Sequence, residues 1–323
     1  MVRKDRTYSY CLLTYNQSKT VAAAVKSALD QDCAAMQIVI SDDCSKDDTF
    51  SIIQQTVAGY AGPHHVVLNR NQRNLGLAGN IDIVHGLSAG DVIIAAAGDD
   101  TSHPSRSRQI MRAFETDDCL LACSRAVVVD PQGVELQGDF HKATFYQGWD
   151  LAKVAGSNSL YIGATGAWAR ELYTKYGAFD PAAYEDLVLG FRAALEGRIA
   201  VIDEKLVNYC LGGGITSSAD YFDDLHAFKA HRAQSYVVAS AIMRQRLKDA
   251  QTYGLEASSA VWAVIRKAQT RAAIGLSYYR GTRGDLFLHA LRHPFLVLDT
   301  VYSERRRCRK MLRRMRKRAG GRR

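Results

Sequence analysis

Through about residue 100, short apolar runs alternate with amphipathic stretches, and each apolar run ends in a polar cluster. "YSYCLLT" (8–14), "MQIVIS" (36–41), "HVVLN" (65–69) and "DVIIAAA" (91–97) have the length and composition of buried strands. Between them, "TVAAAVKSALDQ" (20–31), "TFSIIQQTVAGY" (49–60) and "AGNIDIVHGLSA" (78–89) repeat apolar residues at helical spacing. Ser45 or Asp47 can cap the second of these helices. Strand, helix, strand in this order predicts an α/β fold with a mainly parallel sheet. In such sheets ligands gather outside the carboxyl ends of the strands, which places "TYN", "SDDCS", "NRNQRNLG" and "GDD" along one rim.

Periodicity is mixed from 101 to about 215, with strands expected at 120–129 and 199–203 and a helix at 185–196. From 221 the pattern turns helical in two long segments broken near Gly254. The division that follows is an α/β domain over 1–220, a helical region over 221–302 and a basic tail over 303–323. The tail is low in complexity and reads as a segment that orders on a partner.

Charge sharpens this division. The chain has 323 residues and a net charge of +9, but residues 303–323 hold twelve Lys or Arg against one acid, Glu304, which leaves −2 for everything before them. The seven cysteines lack the paired spacing of a disulfide framework or zinc site, which fits a reducing compartment and burial of the thiols. "MVRKDRTYSYCLLTYN" has no long apolar segment or small-residue cleavage site of the secretory kind. No window has the roughly 18 uninterrupted apolar residues of a membrane span. The expected location is cytoplasmic, peripheral on the inner face of the cell membrane.

Three acidic pairs could carry chemistry. Asp42 and Asp43, after the second strand, suit hydrogen bonds from a base or ribose, although an Asp placed there more often forms a turn or helix cap. Asp99 and Asp100 follow an apolar strand and Gly98; adjacent carboxylates suit a hard divalent cation bridged to phosphate, or a solvated turn. Glu185 and Asp186 open the helix "EDLVLGFRAALEG", where the helix dipole favours acids and where a carboxylate could also act as a general base.

The joint order of these segments resembles glycosyltransferase family 2, which has the GT-A fold. The resemblance runs over about residues 7–218: "LLTYNQSKTVAAAVKSALDQD", "IVISDDCSKDDT", "NLGLAGN", "GDVIIAAAGDD" with Pro104 beyond it, "YEDLVLGFRAALEG" and "VNYCLGGGITSS". It implies an inverting enzyme that moves a sugar from a nucleotide-sugar donor to a glycan or lipid-linked acceptor, in assembly of a bacterial surface polysaccharide, with Mg²⁺ or Mn²⁺ as cofactor. It also implies site roles. Thr14, Tyr15, Asn16, Asp43, Arg73, Asn74, Gly76 and Asp99 would bind the nucleotide sugar, Asp99 and Asp100 the metal, and Asp186 would be the catalytic base. Trp168 and Glu185 would face the acceptor. Two positions depart from the family pattern: Ala97 stands where the metal motif often has its first Asp, and Cys210 where many members carry Arg.

Trp149, Tyr161 and Trp168 offer aromatic faces that suit pyranose rings, although aromatics more often fill cores. Gly163 and Gly166 would let a ligand approach the backbone. His226 and His231 are five apart, poorly aligned on a helix, with surface or core placement as the ordinary outcome. In the tail, the apolar "GDLFLHALRHPFLVLDTVY" (284–302), interrupted at Pro294, precedes the basic run, so residues 283–323 are expected to lie on an anionic membrane surface. Nucleic acid is the lesser expectation for this tail, because three acidic sites on one rim repel phosphate unless a metal is present. A nucleotidyltransferase would want a Gly-rich basic phosphate loop, and "TYNQSKT" has none.

Overall fold

The computed structural model describes residues 6–136, 143–211, 222 and 224–320. The chain forms two compact units, Met1–Gly214 and Ile215–Arg323.

The N-terminal unit is built on an eight-stranded sheet in the order β3-β2-β1-β4-β7-β6-β8-β5. β1 (Tyr8–Thr14), β2 (Gln37–Asp42), β3 (His65–Arg70) and β4 (Val92–Ala97) run parallel. Helices α1 (Val21–Leu29), α2 (Thr49–Val57) and α3 (Gly76–Leu87) connect them. Strands covered on both faces have no side on which polar residues would be hydrated, and Tyr10, Leu12, Ile38, Ile40, Ile93 and Ile94 are accordingly buried.

Past β4 the pattern changes. β5 (Thr101–Ser102) and α4 (Arg106–Thr116) lead into β6 (Leu121–Val129). Short helix α5 (Leu151–Gly156) and a 3₁₀ turn at Gly163–Thr165 then precede β7 (Gly166–Ala169), which enters antiparallel between β4 and β6. Helices α6 (Glu171–Tyr176) and α7 (Glu185–Leu195) follow, and β8 (Ile199–Cys210) closes the unit, parallel to β6 and antiparallel to β5. β8 extends well beyond the 199–203 expected, because its partner β6 is nine residues long and pairs with it through a bulge near Arg125.

In the C-terminal unit, α8 (Leu225–Tyr253) starts at Asp224, whose carboxylate accepts from Ala227 N at 2.7 Å, and stops at Gly254, held at φ 86°. That left-handed position is where glycine serves as a helix terminator. α9 (Ala260–Arg280) and α10 (Arg283–Arg292) follow, the latter opened by a reciprocal Thr282–Asp285 capping box. α11 (Pro294–Gly320) starts on a proline, whose missing N–H costs nothing in a first helical turn. The basic segment is therefore a helix within the chain itself as far as Gly320, which corrects the expectation that it orders only on a partner. Its single acid explains this. Glu304 is buried and accepts from Arg232 Nε at 3.1 Å and Nη2 at 2.9 Å, Tyr236 Oη at 2.8 Å and Tyr279 Oη at 2.6 Å, which ties α11 to α8 and α9.

Candidate active site

Because β1, β2, β3 and β4 are parallel, their carboxyl ends share one edge, and the polar clusters that follow them meet there. Asp42, missed as an organising residue, is fully buried at the end of β2. It binds Ser45 through both the backbone N, at 2.9 Å, and the hydroxyl, and it accepts from Thr14 Oγ1 at 3.3 Å. Thr14 is itself buried, so its hydroxyl is engaged inside the rim instead of facing outward. Asn16, at φ 52°, donates from its backbone to Ser45 Oγ (2.9 Å) and accepts Lys46 N on Oδ1 (2.9 Å), joining the first and second loops. Tyr15 lies between them, its N donating to Gln17 Oε1 at 3.2 Å.

Asp43 is also buried and clamps the loop after β3. One carboxylate oxygen accepts from Leu75 N and from Asn71 Nδ2, the other from Gly76 N, all at 2.8 Å. Asn74 accepts from Gly76 N at 2.9 Å, and Gly76 takes φ 73°, a conformation that favours glycine. Asp43 thus shapes the loop that displays Arg73 and Asn74, both exposed.

At the end of β4, Asp99 accepts from Gln17 Nε2 at 2.9 Å and Asp100 from Cys210 N at 2.8 Å. Burial pushes the Asp99 carboxyl up. Burial, and then the neighbouring Asp99 charge, push Asp100 well up, against the pull of the Cys210 N–H and the Arg106 guanidinium. Gly98 is required where it stands: a Cβ there would lie 2.4 Å from Gln17 Oε1 and 2.8 Å from Thr14 Cγ2. Neither the Gln17 contact to Asp99 nor the Cys210 backbone contact to Asp100 carried a signal in sequence, since each pair meets only through the fold.

Among the described residues no group of three His, Cys, Asp or Glu could hold an ion by itself. Asp99 and Asp100 fit the remaining possibility for Mg²⁺ or Mn²⁺, two hard carboxylates whose burial a cation would relieve, with further positions left to phosphate oxygens and water.

The third acidic pair comes to the same edge through β7. As β7 is antiparallel to β4, its start at Gly166 lies by the carboxyl end of β4, and the turn Gly163–Thr165 precedes it there. A Cβ on Gly163 would sit 2.2 Å from Glu185 Oε1 and 3.8 Å from Asp186 Cβ, so this turn packs directly on the first turn of α7. The close approach at Gly163 is therefore to the acidic pair. At Gly166 it is to the Tyr161 ring, whose Cε2 would lie 2.5 Å from an added Cβ. Burial pushes the Glu185 carboxyl up against the backbone N–H groups of its helix start, while Asp186 Oδ1 accepts from Leu187 N at 2.8 Å. Tyr161, buried, is pushed well up by desolvation and then by Asp186 and Glu185, so it stays protonated beside them.

Trp168 does not present a face to an acceptor. It is 2% exposed on β7, with Ile93 and Leu121 as its strand partners, and belongs to the core. Trp149 is half-buried and packs at 5.8 Å, ring to ring, against Phe145. None of the seven cysteines is in a disulfide, and four of them are buried. His226 and His231 both lie on α8, His231 near Phe222. The last of the resembling segments, from 212 to 218, lies outside the described residues.

The profile described as "Glycosyl transferase family 2" matches residues 9–169, from β1 through β7. The chain belongs to glycosyltransferase family 2 through this domain. It is 23% identical over 220 residues to an uncharacterized glycosyltransferase of Nostoc sp., covering 64% of this chain and 65% of that protein. It is 30% identical over 129 residues to the succinoglycan biosynthesis protein ExoO of Rhizobium meliloti, covering 40% and 36% respectively. The matches therefore span less than two thirds of these relatives' lengths. Among solved structures, S. aureus TarS in complex with UDP-GlcNAc superposes with a TM-score of 0.58 at 16% identity, over 91% of this chain and 79% of that one. The mannosyltransferase PcManGT from Pyrobaculum calidifontis, in complex with GDP-Man and Mn²⁺, gives 0.55 at 14% identity, over 93% and 85%. These likenesses show the GT-A fold.

Proposed function

We propose that this family 2 glycosyltransferase moves a sugar from a nucleotide-sugar donor to a hydroxyl of a glycan or lipid-linked acceptor, with inversion at the anomeric carbon, in assembly of a surface polysaccharide. The observation that carries this reading is the convergence of Asp99–Asp100 and Glu185–Asp186 on one sheet edge, through β4, the Gly163–Thr165 turn and α7. A relative named for succinoglycan biosynthesis and another named as a glycosyltransferase support the direction, and the solved neighbours hold UDP-GlcNAc or GDP-Man.

In this reading the loops carrying Tyr15, Asn16, Arg73 and Asn74 receive the nucleoside and phosphates, with Thr14, Asp43 and Gly76 fixing their shape. Asp99 and Asp100 hold Mg²⁺ or Mn²⁺, which when bound neutralises charge on the diphosphate leaving group. Asp186 takes the proton from the acceptor hydroxyl at a carboxylate oxygen as that hydroxyl attacks the face opposite the diphosphate. Inversion follows from this single displacement. Glu185, its carboxyl pushed up by burial, stands beside Asp186 in the first turn of α7, where it can hydrogen-bond the acceptor.

The test is release of nucleoside diphosphate from a panel of nucleotide sugars, with Mn²⁺ or with EDTA. Asp186→Asn should lower turnover by about a hundredfold to ten-thousandfold, with donor binding retained in calorimetry; EDTA should abolish donor binding to the unmodified chain. Near-normal turnover in Asp186→Asn removes it as the base, and equal donor affinity with EDTA removes the metal role.

A further inference from the structure

Exposed large apolar residues are unevenly distributed in this chain. Phe287 (63%), Leu291 (66%), Phe295 (85%), Leu298 (67%) and Tyr302 (66%) are all open to solvent within sixteen positions of the C-terminal unit, and Leu288 lies among them. Single exposed apolar residues are ordinary, whereas a contiguous set marks a surface with a partner.

The helix that carries half of them has two distinct faces. Val297, Thr300, Glu304 and Met311 of α11, spaced by three, four and seven, fall on one face and are buried, with Glu304 locked onto Arg232, Tyr236 and Tyr279. Another stripe of the same helix is exposed at the same spacing. It reads Phe295, Leu298, Tyr302 and then Arg305, Arg306 and Arg309. The Glu304 anchor fixes the rotation of α11, so one outward stripe is apolar over its first two turns and cationic after that. On α10, Phe287, Leu288 and Leu291 occupy neighbouring positions of one face, since residues three or four apart lie together on a helix.

We propose that these exposed faces of α10 and α11 dock into the interface of an anionic lipid bilayer. An apolar stripe and a polybasic stripe side by side provide the two signals that stable peripheral attachment requires. No helix among the described residues is long and apolar enough to cross a membrane, which makes the attachment interfacial. Charge argues against a second copy of the chain as the occupant, because pairing this face with itself would bring two arginine-rich helices together. The apolar stripe disfavours nucleic acid, which would satisfy the arginines but leave Phe295 and Leu298 in water.

The test is cosedimentation of the full chain with phosphatidylcholine vesicles, with and without phosphatidylglycerol, at low and raised salt. The chain should pellet with the phosphatidylglycerol vesicles and release progressively as salt rises. Replacing Leu291, Phe295 and Leu298 together by Ser should weaken that partition about tenfold or more. Replacing Arg305, Arg306 and Arg309 by Gln should weaken it on the order of a hundredfold. Both variants alter exposed side chains and should keep the thermal midpoint of the unmodified chain, which separates lost docking from lost folding. Equal partition onto phosphatidylcholine alone overturns the proposal. So does a Ser variant that pellets like the unmodified chain, whether the apolar face then proves to hold a dimer together in sedimentation velocity or the arginines prove to retain duplex DNA.

Discussion

Gln17 donates from Nε2 to Asp99 Oδ1 at 2.9 Å, while its Oε1 accepts from Tyr15 N at 3.2 Å, so one amide joins the first loop of the fold to the carboxylates after β4. A hydrogen bond to a charged group contributes about 1.5–3 kcal/mol. Gln17→Ala should accordingly lower kcat/KM by about tenfold to a hundredfold, chiefly through Asp99 losing its orientation. Steady-state kinetics at saturating Mn²⁺ checks this, and unchanged kcat/KM would show that Asp99 is held by other contacts.

Gly163→Ala tests the coupling between the turn before β7 and the acidic start of α7. The added Cβ would fall 2.2 Å from Glu185 Oε1, the free end of a flexible side chain, so the carboxylate should yield and the backbone stay. Displacement of about 1 Å near the reacting groups can cost up to about a hundredfold in rate. The expected outcome is a reduced kcat with donor KM and thermal midpoint close to those of the unmodified chain. A midpoint that falls steeply would mean that the turn itself had moved.

The anchor of α11 carries a pH signature. Burial opposes ionisation of Glu304, but the Arg232 guanidinium and the Tyr279 and Tyr236 hydroxyls outweigh it and hold the carboxyl below its usual range. A depressed folded-state pKa adds stability above the unfolded-state value, and that stability is lost as pH falls through the folded one. Thermal midpoints of the C-terminal unit should therefore drop between ordinary carboxylate pH, about 4.3, and lower values. Glu304→Ala should cost about 3–5 kcal/mol at neutral pH by leaving Arg232 without its partner, and should flatten this acid dependence. Circular dichroism melts across the pH series measure both effects.

The α/β class, the four parallel strands and their connecting helices were legible because alternation of apolar runs with helical spacing is a local property of sequence. Tyr8–Thr14, Gln37–Asp42, His65–Arg70 and Val92–Ala97 fall within a residue or two of their expected limits. β5 and β7 were not legible: two and four residues long, they have no period of their own and exist because neighbouring strands supply their hydrogen bonds. The same insertion of β7 buries Trp168, a residue whose aromatic face looked free for a sugar.

By itself the sequence determined the order of chemical groups: acidic pairs after β2, after β4 and at the start of α7, and a tail with one acid among twelve bases. Tertiary structure alone decided which groups are occupied internally and which are offered outward. Thr14 and Asp43 turned out to fix loops, Gln17 and the Cys210 backbone to hold Asp99 and Asp100, and Gly163 to seat Glu185. Glu304 likewise turned a low-complexity tail into an oriented helix. The physical reason is that hydrogen bonds and burial join residues far apart in the chain, such as Asp100 and Cys210, whose separation of 110 positions leaves no local trace in composition or period.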